Sequence, residues 1–175
     1  MSVTLPGKIT SLVRKFSSSA GSPPSEGDEG TNGHAGREEK TDERSNSGEL
    51  RILLIEDSKL IKERLISMLT EEGVMRVTAS AATEAEAREQ IDAAEYDVLL
   101  VDVELREGSG IGAIRHARRC YPQGRQPLIV VLTNYPLPAV RSRCIDAGAD
   151  HFLDKMHQFQ DVKALISDAR HLPRD

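Results

Sequence analysis

From Leu50 onward the chain alternates between short apolar runs and longer stretches in which apolar residues recur every three or four positions. The runs are Arg51–Ile55, Val74–Ala79, Tyr96–Val101, Leu128–Leu132 and Asp150–Leu153. They are rich in Val, Ile and Leu and too short for helices, which predicts buried parallel strands. Ser58–Glu71 puts Ile61, Leu65, Met68 and Leu69 on one helical face, with Ser58 as N-cap and Gly73 just past the end. Thr83–Ala94 opens with Thr83 and then Glu86, a capping-box pattern. Ser109–Tyr121 gathers Ile111, Ile114 and Ala117. Pro136–Ala147 opens on Pro136 and Pro138, both expected in a first turn, and Gly148 closes it. Phe159–His171 turns Val162, Leu165, Ile166 and Ala169 inward.

Five β–α units in series imply a parallel sheet covered by helices on both faces. The expected fold class is α/β: a flavodoxin-like, doubly wound five-stranded sheet of order 2-1-3-4-5. Such folds place their sites outside the carboxyl ends of the strands.

The N-terminal third does not share this pattern. Residues 1–49 hold 9 hydrophobic residues, whereas residues 50–175 hold 58 of 126. Residues 17–49 contain only Ala20 and Ala35 as apolar residues, with seven Ser, six Gly and a net charge of −5. This reads as a disordered acidic linker. Residues 1–16 differ, because Leu5, Ile9, Leu12, Val13 and Phe16 share one helical face and Lys8, Arg14 and Lys15 make the segment basic. The readings are a short amphipathic helix docked on a partner, on a membrane surface or on its own domain, and a frayed terminus. The domain proper is expected over residues 50–172.

Charge and composition then exclude several classes. A net charge of −5 argues against direct nucleic-acid binding. No apolar run approaches a membrane span, and the first 20 residues lack the apolar core of a secretory signal. Cys120 and Cys144 are too few and too far apart for a metal knuckle or a disulfide framework, and the five histidines form no cluster with ligand spacing. The expectation is a cytoplasmic protein with two reduced thiols.

The candidate chemistry lies at the strand ends. Strand one delivers Glu56 and Asp57, strand three Asp102, strand four Thr133 and strand five Lys155. Clustered carboxylates raise one another's pKa unless a cation intervenes, and a hard divalent ion such as Mg²⁺ suits them. A carboxylate can also attack phosphorus. Phosphoryl transfer depends on positioning and on neutralising the equatorial oxygens, for which Lys155 and the Thr133 hydroxyl are placed. The residues therefore describe a Mg²⁺-dependent, phosphoryl-accepting aspartate, Asp102.

The segments Ile-Glu56-Asp57-Ser, Leu-Leu-Val-Asp102-Val-Glu-Leu-Arg-Glu-Gly108-Ser-Gly110, Val-Leu-Thr133 and Gly148-Ala-Asp-His-Phe152-Leu-Asp-Lys155 resemble the response-regulator receiver domain of two-component signalling. The resemblance covers about residues 50–172. It implies that Asp102 accepts phosphate from a sensor histidine kinase or a histidine phosphotransfer protein. It implies that Asp57 and Asp102 ligate Mg²⁺ directly, Glu56 through water and Glu104 through its backbone carbonyl. Lys155 would pair with the phosphoryl group. Thr133 would turn onto that group with Phe152 following inward, a switch read out on the helix 4–strand 5–helix 5 face by a downstream protein or a second copy of the chain. A receiver assists its own phosphorylation and dephosphorylation but turns over no separate substrate. With the chain ending at Asp175, a receiver acting through protein contacts is expected.

Three positions depart from the family pattern. Met156 follows Lys155 where the family usually has a proline, often with a cis bond, so a trans bond or a strained cis one is expected here. Arg106 replaces another frequent proline, and Asn134 stands where a small residue is usual. Glu104 and Tyr135 flank the path by which water would reach the phosphoryl group. Two other readings stay open: a phosphorylation-independent receiver-like scaffold, and an aspartyl-phosphate phosphatase of the haloacid-dehalogenase type. The second wants an Asp-x-Asp motif after its first strand, which Asp102-Val103-Glu104 after strand three does not provide.

Overall fold

A computed structural model describes residues 48–169. The assignments for residues 1–16, for residues 17–47 and for 170–172 lie outside the described residues. The elements alternate as predicted: β1 (Leu50–Ile55), α1 (Lys59–Leu69), β2 (Met75–Ala81), α2 (Glu84–Ala93), β3 (Val98–Val101), α3 (Gly110–Cys120), β4 (Leu128–Thr133), α4 (Pro138–Ala147), β5 (His151–Asp154) and α5 (Asp161–Ala169). The strands form one parallel sheet of order β2-β1-β3-β4-β5.

The period of two in each strand divides the core. Leu53, Ile55, Leu99, Val101, Ile129 and Val131 face one way, into a cluster with Ala87, Ile91, Ile111, Ile114 and Phe152. Ile52, Leu54, Val98, Leu100, Val130 and Leu132 face the other way, into a cluster with Leu65, Leu69, Val162 and Ile166. Each such side chain removed from water is worth about 1.5–3 kcal/mol. Between them they hold the three central strands, and therefore their carboxyl ends, in fixed register.

Several local readings need correction. β2 is an edge strand, and its interior alternates between exposed and half-buried positions, so it is not a continuous buried run. It runs two residues past Ala79, pairing with β1 up to Ile55, and its register shifts by one residue between Ile52 and Leu53. β3 starts at Val98 rather than Tyr96, with Asp97 spent on the Arg51 amide through its side chain at 2.7 Å. α1 stops at Leu69, and Gly73, at φ 72°, instead serves the turn in which Glu71 and Met75 exchange backbone hydrogen bonds. α4 begins at Pro138, at the start of the helix, leaving Pro136 in the preceding loop. α5 begins at Asp161, and Phe159 is buried just before it beneath the Arg64 guanidinium. The caps at Ser58, Thr83 and Ser109 form, and Gly148 closes α4 at φ 110°. No described peptide bond is cis, so Lys155–Met156 is trans. No helix among the described residues is long and apolar enough to cross a membrane.

Candidate phosphoacceptor site

Apart from tyrosine and cysteine, the described residues bury four polar side chains: Glu56, Asp102, Thr133 and Lys155. All four stand at or just beyond the carboxyl ends of β1, β3, β4 and β5, where parallel pairing brings the chain ends together. Burying a charge is costly unless it is paired, and Lys155 supplies the pairing. Its Nζ donates to Glu56 Oε2 at 2.6 Å and to Asp102 Oδ2 at 2.5 Å. Burial pushes the Glu56 carboxyl above its usual range, and the hydrogen bond and charge of Lys155 pull it back only in part. The Ser58 amide donates to Glu56 Oε1 at 3.1 Å, which ties the start of α1 to the acid pair.

The half-buried Asp57 completes the acid set. One carboxylate oxygen each from Glu56, Asp57 and Asp102 lie within 4.8 Å of one another. They line an open cavity of about 620 Å³ together with Ser58, Glu104, Asn134 and Lys155, among others. Three carboxylates against one ammonium leave two negative charges facing this space. An all-oxygen donor set with that surplus fits a hard divalent cation such as Mg²⁺, which takes one or two carboxylates and keeps several waters.

The loop after Asp102 is braced from α2. Glu84 Oε2 accepts from the Ser109 amide at 2.9 Å, and the Glu84 amide donates to the Glu107 carbonyl. Gly110 is required by close approach, since a Cβ there would lie 1.9 Å from the Asp102 carbonyl oxygen. Glu104 lines the cavity, and its amide donates to Asp102 Oδ1 at 3.4 Å. The bracing role of Glu84 was not legible in the sequence, where it reads only as a residue of the first turn of a helix.

Two predicted residues, Thr133 and Phe152, do not line the cavity. Thr133 is fully buried, and its Oγ1 accepts from the Tyr135 amide at 3.3 Å, while the neighbouring Asn134 is the residue that lines the cavity. Phe152 packs in the α2–α3–α4 side of the core, with the Arg141 guanidinium 5.8 Å from its ring centre. Tyr135 is half exposed.

A doubly wound parallel sheet with paired acids, a central aspartate and a buried lysine at its carboxyl edge is the arrangement of a receiver. The sequence profile of the response regulator receiver domain matches residues 52–167, and the chain belongs to that family. Among curated proteins it is 32% identical over 116 residues to a protein-glutamate methylesterase/protein-glutamine glutaminase of Alkalilimnicola ehrlichii, a match covering 65% of this chain and 28% of that protein. The chain spans at most about half the length of the first curated relatives it matches. Among solved structures it is similar to the receiver domain of a sensor histidine kinase from Pseudomonas aeruginosa PAO1, which has a magnesium ion coordinated in its active-site cleft. That likeness has 28% identity, a TM-score of 0.61 and coverage of 70% of this chain and 98% of that one. It is also similar to a response regulator from Burkholderia pseudomallei with a phosphorylated aspartic acid, a calcium ion and citrate, at 25% identity and TM-score 0.58, covering 69% of this chain and 68% of that one.

Proposed function

We propose that Asp102 accepts a phosphoryl group from the histidine of a sensor kinase or phosphotransfer protein. The observation that carries this reading is the buried Lys155 ammonium held between Glu56 and Asp102, with Asp57 beside them and a surplus of two negative charges toward an open cavity. The aspartate oxygen would form the new bond to phosphorus as the phosphorus–nitrogen bond to the donor imidazole breaks. Glu56, Asp57 and Asp102, with the Glu104 carbonyl, would hold Mg²⁺, which offsets charge on the phosphoryl oxygens when bound. Lys155, which already contacts Asp102, would offset charge on the same group. Once Asp102 carries phosphate, Lys155 exchanges a carboxylate partner for a phosphoryl oxygen. Thr133 then leaves the Tyr135 amide for that group, and Phe152 moves with it. The output is read on the α4–β5–α5 face by a partner protein. Tyr135, Leu137, Ile145 and Met156 are exposed in α4 and in the loops around α4 and β5, and support that reading.

The test is incubation with Mg²⁺ and a small phosphodonor such as acetyl phosphate, followed by a phosphate-affinity gel. A shifted band that is lost with EDTA and in Asp102→Asn is expected. Absence of any shift with several donors would favour the scaffold reading. Steady release of phosphate from unrelated phosphoesters would favour the phosphatase.

A further inference from the structure

A second convergence of metal-ligating atoms lies at the other end of the molecule. Asp92, near the C-terminal end of α2, and His116 and Cys120, in the last turns of α3, bring a carboxylate oxygen, an imidazole nitrogen and a thiol sulfur within 4.8 Å of one another. His116 Nε2 lies 2.9 Å from Asp92 Oδ1 and 3.4 Å from Cys120 Sγ. Helices in this fold run back against the strands, so these ends sit at the amino edge of the sheet, across its whole length from Asp102.

One imidazole nitrogen meeting both partners decides between the two chemistries such a trio offers. An activated thiol needs the two ring nitrogens to serve different groups, one taking the thiol proton and the other held by the acid. Here both partners meet Nε2. A metal ion in place of the Nε2 proton is attracted to all three atoms. The donor set selects the ion: thiolate and imidazole favour borderline and soft transition metals over Mg²⁺, and oxygen, nitrogen and sulfur together fit zinc. Tetrahedral zinc separates neighbouring ligand atoms by about 3.3–3.6 Å. The sulfur–nitrogen distance of 3.4 Å already falls in that range, the oxygen–nitrogen distance of 2.9 Å is shorter, and the carboxylate is 58% exposed. His116 and Cys120 are one helical turn apart on the same face. The C-terminal ends of two helices also carry partial negative charge, which favours a cation. Cys120 is exposed, so the site is open to solvent and leaves a fourth position for water.

We propose that Asp92, His116 and Cys120 form a zinc site that ties α2 to α3, separate from the Mg²⁺-type acid set. The test uses the full chain, reduced with a phosphine, and Co²⁺ as a spectroscopic stand-in for Zn²⁺. With excess Mg²⁺ present to occupy the acid set, the expected result is Co²⁺ bound with tetrahedral d–d bands and a thiolate-to-cobalt charge-transfer band, both displaced by Zn²⁺. The charge-transfer band is lost in Cys120→Ser, the d–d bands weaken or shift in His116→Ala and Asp92→Asn, and both persist in Asp102→Asn and Cys144→Ser. Unchanged far-ultraviolet circular dichroism in each variant shows that loss of the bands is not loss of fold. A wild-type chain without the thiolate band, or a band that survives Cys120→Ser or vanishes with Asp102→Asn or Cys144→Ser, overturns the proposal.

Discussion

The two ends of the sheet use polarity differently. At the amino edge, the groups around Arg118 and Tyr121 are matched largely to backbone partners. Asp150 Oδ2 accepts from the Ile129 amide at 2.7 Å and from Arg118 at 2.6 Å, and Arg118 also donates to the Gly148 and Pro127 carbonyls. The Tyr121 hydroxyl accepts from the Tyr96 amide at 3.0 Å and donates to the Ala94 carbonyl at 3.3 Å, and burial pushes its ionisation far above the ordinary tyrosine range. At the carboxyl edge, charge is in excess, with one ammonium facing three carboxylates around an open cavity. Structural polarity closes its own ledger. The surplus at the carboxyl edge is matched only when something else binds, which is why a ligand would be felt there and not at the Arg118 node.

The sharpest break in this comparison is at Lys155. Lys155→Met leaves Glu56 and Asp102 buried without their counter-charge, so stability in EDTA should fall by about 3–5 kcal/mol. Millimolar Mg²⁺ should restore much of that loss. Urea unfolding with and without Mg²⁺ measures both, and a variant as stable as wild type in EDTA would contradict the pairing described here.

Next in size is Arg118→Ala, which strips charged hydrogen bonds from two carbonyls and from Asp150. It should cost about 2–3 kcal/mol whether or not Mg²⁺ is present, with phosphorylation of Asp102 unchanged on the gel. A strong Mg²⁺ dependence would show that the two edges are not independent. Tyr121→Phe leaves the Tyr96 amide without its acceptor and should cost about 1–2 kcal/mol, again insensitive to Mg²⁺.

The smallest effect is a slope. Burial holds the Glu56 carboxyl above its ordinary value of 4.5, so the folded chain binds that proton more readily than the unfolded chain. Its contribution to stability is full below the unfolded pKa and is lost as pH rises through the folded value. Glu56→Gln removes this loss, so in metal-free buffer its melting temperature should decline less than that of wild type as pH rises from below 4.5 to neutrality. Parallel slopes for the two proteins would count against the burial of an ionised Glu56.

Much of this is legible in the chain itself. Short Val/Ile/Leu runs separated by capped amphipathic stretches lead to a parallel sheet, because β-branched runs too short for helices must pair and be covered. The acid set and Lys155 were legible because each directly follows a strand, and strand ends of a doubly wound sheet share one edge. Boundaries failed where a side chain or turn intervened: Gly73 stops no helix because the Glu71–Met75 turn claims it, and β2 alternates because it lies at an edge.

Linear order and side-chain chemistry were enough to select the fold, the family and the residues at the carboxyl edge, since these depend on local periodicity and on what ends each strand. Packing alone set the rest. It made Lys155 a bridge between two carboxylates, kept the Thr133 hydroxyl on the Tyr135 amide and braced the Asp102 loop with Glu84. It also carried Asp92, 24 residues before His116 in the chain, to the one turn of α3 where His116 and Cys120 stand together. Such contacts join positions far apart in sequence, and no periodicity or short motif encodes a distance between two helices.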